Sequence, residues 1–282
     1  MTLGAGAGIG RHAAETLANK GYTVFAGVRK QKDLDSLFAE NKTSNLRPFL
    51  LDVTEKESIA RAFKLIETTL ADTGLPFVAL INNAGVLQVV PIELAEDKAV
   101  RSLMDVNFFG VLDMCREFIP LLRKHPGSRI INISSLAGIV SPPFNGIYSA
   151  SKFALEAISD ALRRELEEFG IAVIVIQPGY VKTKMNDVMK GDMATIHTHP
   201  IIVKHYAAKH LHFLKLGEEG VAVAPGPEVT SRAISEAVTS ARPKTRYSCG
   251  TVDGNKTPAS VLIWLSWLLP DRLLDMFFAP KL

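Results

Sequence analysis

Two runs, Arg129–Ile133 and residues 171–176, are nearly unbroken apolar and β-branched, and a long amphipathic stretch separates them. Strands that are apolar on both faces belong in a parallel sheet covered by helices on each side. In the stretch between, residues 149–169, Ala154, Leu155, Ile158, Ala161, Leu162 and Leu166 fall at helical spacing. Gly170 is placed to end that helix. The pattern recurs along the chain. Residues 22–28, 47–53 and 77–81 read as strands, and Arg246–Cys249 as a short last one. Residues 11–20, 96–109, 111–125 and 227–240 read as helices, and Thr54-Glu55-Lys56-Glu57 has the form of a capping box opening a helix to about Ala71. Strand–helix alternation with right-handed crossovers predicts an α/β fold, a Rossmann-like doubly wound parallel sheet in three α/β/α layers.

At 282 residues, with 47% hydrophobic and 22% charged residues, the chain has a globular composition that disfavours disorder and coiled coil. It reads as one domain, 1–282. Residues 184–225, rich in Lys, His and Gly without a strong period, read as a loop-like mobile insertion covering a site. Residues 258–282 read as an apolar tail. A net charge of +3 without basic runs gives no sign of a nucleic-acid partner. Two cysteines, Cys115 and Cys249, provide no disulfide framework, so a reducing compartment is expected. The first residues carry no secretion-signal pattern and no window is long enough to span a bilayer. The expected location is the cytoplasm, or the surface of an intracellular membrane.

Gly4-Ala5-Gly6-Ala7-Gly8-Ile9-Gly10 runs into the first helical segment. Glycines allow tight turns and close approach of a pyrophosphate, and the helix start offers free N–H groups and a favourable dipole end. A Rossmann unit usually ends its second strand on an acid that holds the ribose hydroxyls. Here Val28 stands there, followed by Arg29 and Lys30. A guanidinium can clasp a 2′-phosphate, so the charge predicts NADP(H), with NAD(H) the lesser alternative. Only Met1, Thr2 and Leu3 precede Gly4, and three residues span about 10 Å. The expectation is therefore that the first strand is largely absent: the chain continues upstream, or a partner supplies the strand, or the cofactor site is impaired.

Tyr148 and Lys152 stand four apart at the start of the long helix, so phenol and ammonium share one face. A neighbouring cation favours phenolate and should bring the tyrosine toward a working pKa.

With these residues in view the sequence resembles the short-chain dehydrogenase/reductase family, from Gly4 to about Thr183. Gly4, Gly8, Ile9 and Gly10 look like its cofactor loop. Asp52-Val53 is similar to the pair that contacts adenine. Asn82-Asn83-Ala84-Gly85 matches a family signature. Asn107 sits where the family keeps a catalytic asparagine, and Ser135 lies 13 residues before Tyr148, at the family's spacing. Pro178-Gly179-x-Val181-x-Thr183 looks like the segment contacting nicotinamide. Leu3 replaces the family's threonine before the first loop glycine. The resemblance implies an oxidoreductase acting on a small alcohol or carbonyl compound. Ser135 would orient the substrate oxygen, Tyr148 exchange its proton, Lys152 tune the phenol and hold the nicotinamide ribose, and Asn107 organise a relay water. It also implies a homodimer or homotetramer.

Five histidines, His197, His199, His205, His210 and His212, crowd the 184–225 segment. With no cysteine among them they read as a solvent-facing or substrate-entrance patch, and no metal is expected. Trp264, Trp267, Phe277 and Phe278 make the tail aromatic. The tail resembles those of relatives handling steroids, retinoids and other lipophilic compounds. It could lie on a membrane as a peripheral contact, cover the substrate, or bury itself on the core or another subunit.

Overall fold

The computed structural model describes residues 1–40, 43–252 and 257–278, the side chains of 277 and 278 excepted. The strands are β1 (Thr2–Leu3), β2 (Val24–Val28), β3 (Leu46–Leu50), β4 (Ala79–Asn82), β5 (Arg129–Ile133), β6 (Ala172–Pro178) and β7 (Arg246–Cys249). All pair in parallel, in the order β3-β2-β1-β4-β5-β6-β7. The helices are α1 (Gly8–Asn19), α2 (Gln31–Glu40), α3 (Lys56–Thr73), α4 (Asp97–Met104), α5 (Gly110–Arg123), α6 (Gly146–Glu165), α7 (Met185–His197), α8 (Ala207–Val223), α9 (Glu228–Thr239), α10 (Ala259–Leu268) and α11 (Asp271–Phe278).

Period-two alternation sends successive strand residues to opposite faces of the sheet. Leu80, Ile130 and Val173 join the core under α3, α5 and α6, where Phe118 lies against Phe63 and Phe77. Ile81, Ile131 and Ile174 join the second core, under α1, α2 and α9. Both faces are therefore dry, which is why these strands are apolar throughout.

The first strand is present, contrary to the sequence expectation. Thr2 pairs with Ala26 on one side and Ile81 on the other, and Leu3 with Gly27. Ile81 N also donates to Met1 O, and Met1 N to Ala79 O, both at 2.9 Å. Thr2 and Leu3 are buried. Two residues suffice because β1 meets its neighbours only near the end that leads into the glycine loop, not over the full height of the sheet.

Other local expectations change for identifiable reasons. Thr54 does not cap α3: its N–H and hydroxyl both donate to Asp52 Oδ1, at 2.9 and 2.7 Å, and the helix begins two residues later. The helices expected over 96–109 and 111–125 form one run, widened to π-helix over Asp105–Phe109. Gly110 lies inside that run, and its lack of a side chain suits the close approach of Val53, whose Cγ2 would lie 2.9 Å from a Cβ there. Residues 184–225 are mostly helix, α7 and α8, packed on each other through Met193, Ile202 and Phe213 around Phe144. Of the five histidines, His210 is fully buried with its ring edge-on to Phe144, so the segment's histidines are not one solvent-facing patch. Among the described residues no helix is long and apolar enough to cross a membrane. The side chains of Phe277 and Phe278, and residues 279–282 of the tail, lie outside the described residues.

Candidate active site

Glycines shape the loop between β1 and α1 for two different reasons. Gly4 and Gly8 have φ of 63° and 55°, a left-handed backbone that costs glycine nothing. Gly10 is needed for space, since a Cβ there would run into the Gly4 carbonyl and Asn83 Nδ2. From that nitrogen Asn83 donates to Leu3 O at 3.0 Å and Gly4 O at 3.3 Å, tying the loop to the segment after β4. A Cβ on Gly4 would lie 2.9 Å from Ala84 Cα, and one on Gly8 3.2 Å from Thr183 Cβ. Gly4, Gly8, Gly10, Asn83, Ala84 and Thr183 are thus brought together.

α1 starts at Gly8 with Ala7 as its N-cap, with no side-chain cap and no acid in the first turn. Its leading N–H groups and dipole end are left for an anion. A dinucleotide pyrophosphate would fit this cradle, where the N–H groups of Gly8, Ile9 and Gly10 could hold it. Arg29 and Lys30 are exposed just beyond β2. Asp52 is engaged by Thr54, and Val53 packs on Gly110.

α6 carries Tyr148 and Lys152 one turn apart, both buried. Lys152 Nζ lies 5.7 Å from the centroid of the Tyr148 ring and donates to Ile133 O, at the end of β5, at 2.9 Å. Burial pulls this ammonium down to about 8, and the Glu156 carboxylate one turn on works against that. Burial pushes the Tyr148 phenol up to about 12, and a hydrogen bond with Ser135 draws it part of the way back. Desolvation of the phenolate dominates, and Ser135, not Lys152 as expected, is the group that lowers the phenol. Ser135, just past β5, accepts from Ala137 N at 3.1 Å and reaches Pro178 O at 3.5 Å.

Asn107 sits in the π-widened turn and is fully buried. Its Oδ1 accepts from Val86 N at 2.8 Å, and its Nδ2 donates to Val86 O at 2.9 Å and Ser151 Oγ at 3.0 Å. Ser151 in turn donates to Tyr148 O at 2.7 Å. Both amide hydrogens are committed, so the side chain pins the segment after β4 to α6 and has no donor left for the expected relay water.

A cavity of about 650 Å³ opens at the carboxyl ends of the strands. Of the sequence-predicted residues, Ile9, Asn83, Gly85, Ser135, Tyr148, Lys152, Pro178, Gly179, Val181 and Thr183 line it. Arg29, Asp52, Val53 and Asn107 are not on its wall. Met185 and Met189 of α7, Phe213 and Leu216 of α8, Leu262 of α10 and Met276 of α11 are among its other, largely apolar, lining residues.

Two polar networks escaped the sequence reading. Asn82 Nδ2 donates to Asn132 Oδ1 at 2.8 Å, and Asn132 Nδ2 to Ser159 Oγ at 2.9 Å, linking β4, β5 and α6 inside the core. Glu156 accepts from Gln177 at 2.9 Å and Arg246 at 3.1 Å, clamping α6 to β6 and β7. The only signal for the first was polar residues inside otherwise apolar strands. The second joins residues up to 90 positions apart and had none.

The family model for short chain dehydrogenases matches residues 1–193. The chain belongs to the short-chain dehydrogenase family. This short-chain dehydrogenase is 34% identical over 257 residues to bovine 17-beta-hydroxysteroid dehydrogenase type 6, covering 88% of this chain and 78% of that protein. It is 33% identical over 254 residues to human retinol dehydrogenase 16, with the same two coverages, 88% and 78%. Its fold matches a closed form of serine dehydrogenase complexed with NADP+, with TM-score 0.71 and 25% identity, over 88% of this chain and 93% of that one. Like the family, it is an NAD(P)-dependent oxidoreductase acting on CH–OH groups of a small-molecule substrate, with a nicotinamide dinucleotide as cofactor.

The Lys152 shift has a stability consequence with a definite sign. Below pH 8 the lysine is charged in both folded and unfolded chains, and the folded one bears a desolvation cost of about 3 kcal/mol. Between pH 8 and 10.5 only the unfolded chain holds the proton, so that cost fades as pH rises. Lys152→Met removes the cost but orphans Ile133 O, for a net gain of about 1–2 kcal/mol at pH 7 in the cofactor-free protein. Urea unfolding at pH 7 and pH 10 should show that gain shrinking or reversing at the higher pH. A variant less stable at pH 7 would contradict it.

Proposed function

We propose that this short-chain dehydrogenase interconverts an alcohol and a carbonyl group on a small lipophilic substrate, steroid-, retinoid- or lipid-like, using NADP(H). The observation that carries the reading is one cavity with Ser135, Tyr148 and Lys152 at one end and apolar side chains from α7, α8, α10 and α11 elsewhere on its wall. The relatives named for hydroxysteroids and retinol support the same substrate class.

When bound, the nicotinamide supplies or accepts the hydride. Ser135 donates a hydrogen bond to the substrate oxygen and fixes its distance from Tyr148. With its phenol held near 12, Tyr148 is protonated at neutral pH and is ready to give a proton to a nascent alkoxide. Oxidation of an alcohol needs the proton to move the other way, so it should quicken as pH rises while reduction slows. Lys152 stabilises the phenolate and holds the nicotinamide ribose. Asn107 positions Tyr148 through Ser151, and any water it organises is held by its backbone. α7 and α8 cover the cavity and exclude bulk water.

Tyr148→Phe keeps the packing and loses only the hydroxyl. Turnover should fall by about 10²–10⁴ while cofactor binding, followed by fluorescence, persists. A variant retaining about a tenth of the activity would remove Tyr148 from the proton-transfer role.

Arg29 supports NADP(H) over NAD(H). It is exposed just past Val28, which stands where an acid would otherwise end β2, and makes no ion pair among the described residues. Wild type should bind NADPH more tightly than NADH, and Arg29→Asp should reverse the order by about ten- to a hundredfold. Equal affinity of the wild type for both cofactors would defeat this assignment.

The tail supports a peripheral membrane contact. Trp264 and Trp267 are 70% and 79% exposed on α10, while Leu262 of the same helix lines the cavity. Indole rings favour the bilayer interface. Replacing both tryptophans by serine should reduce co-sedimentation with phosphatidylcholine vesicles without slowing a water-soluble ketone. Unchanged sedimentation would assign the helix to a protein contact instead.

A further inference from the structure

Asp33 lies in the first turn of α2, outside every residue set that the sequence singled out. A Cβ built on Gly6 would nevertheless lie 3.0 Å from its Cβ, Cγ and Oδ2. The carboxylate thus rests against the glycine loop, between the end of β2 and the start of α1. It is half-buried and, among the described residues, has neither a hydrogen-bond nor an ion-pair partner.

The charges around it are unevenly committed. Arg11, next to the loop, is taken up by Glu15 and Glu40, both at 2.9 Å, and by Ser36 at 3.1 Å. Arg29 and Lys30 are exposed and free of ion pairs among the described residues. The end of the second strand is where a dinucleotide on such a loop presents its adenosine ribose, and Val28 leaves that strand end without an acceptor.

We propose that Asp33 supplies the missing acceptor from α2: its carboxylate takes the ribose hydroxyls of the cofactor's adenosine half and opposes a 2′-phosphate there. An ionised carboxylate only accepts, so it suits a hydroxyl donor and repels a phosphate. Arg29 acts in the opposite sense on the same cofactor position. Gly6 leaves room for this contact, since a Cβ there would force the carboxylate to give way by a few tenths of an ångström. The pair gives a binding site that admits both cofactors, with Asp33 setting how far the preference of Arg29 is expressed. This rests on the dinucleotide reading of the loop, and its fate is separable from that of Arg29.

The test is direct binding of NADPH and NADH to the cofactor-free protein, read by fluorescence for wild type, Asp33→Asn, Asp33→Ser and Arg29→Asp. Both Asp33 variants should bind NADPH about tenfold more tightly and NADH several-fold more weakly. Thermal unfolding without cofactor should change little, since among the described residues the carboxylate has no hydrogen-bond or ion-pair partner to lose and only its contact with the α2 dipole is weakened. Shifts of the two cofactors in the same direction, or no shift in either variant, would overturn the assignment. A wild type that prefers NADH would defeat the Arg29 reading, yet opposite shifts on removing the Asp33 charge would still uphold Asp33. If one variant fails to fold, the other decides by the same criterion.

Discussion

The carboxamide of Asn107 closes a two-point pair with the backbone of Val86 and passes a third bond through Ser151 to the carbonyl of Tyr148. Asn107 and Ser151 are fully buried, where each polar group left unpaired costs about 1–3 kcal/mol. Three separate pieces of chain therefore have to agree in position: the segment leaving β4, the π-widened turn, and the start of α6. The same segment after β4 presents Asn83 to the glycine loop, so that loop and the Tyr148 end of the cavity share one brace. Widening of the helix at Asp105–Phe109 is what brings Asn107 to that junction.

α6 shows how one helix can serve packing and chemistry at once. Leu155 and Leu162 bury its inner face, Ser159 closes the polar ladder through Asn132, and Glu156 reaches β6 and β7. Tyr148 and Lys152 are consequently held on a rigid element with little freedom to relax. Their environment is hostile to charge on either group, since burial raises the phenol and lowers the ammonium. The site thereby stores a proton on oxygen at neutral pH and keeps the amine close to its own titration point.

Elements governed by local pattern were readable in advance. β5 lies where a nearly unbroken apolar run places it, β7 spans the residues expected of a short last strand, and Gly170, with φ of 67°, ends the turn after α6 as its type predicts. That Ser135, Tyr148 and Lys152 meet on one cavity wall was legible because the family resemblance fixes their types and spacing. β1 was misjudged because its need for length depends on where its neighbours pair, which no local count reveals. α7 and α8 were read as loop because they divide their apolar residues between the cavity and a satellite core, so no single face accumulates a stripe. Asp33 and the Glu156 clamp stayed hidden because both meet their counterparts only after the sheet has brought distant segments together.

Three of the chain's seven methionines, Met185, Met189 and Met276, line the cavity, the first two one turn apart on α7. An unbranched thioether has three rotatable bonds and reshapes at small cost, unlike the β-branched wall a tight pocket would use. A pocket of this kind discriminates weakly by outline, because even a rigid one gains only about 1–3 kcal/mol from a misfitting methylene. Selectivity then shifts from the silhouette of the molecule to the handedness of its reacting carbon, which Ser135 and Tyr148 meet from one side. Such an enzyme would be tolerant of scaffold and strict about stereochemistry.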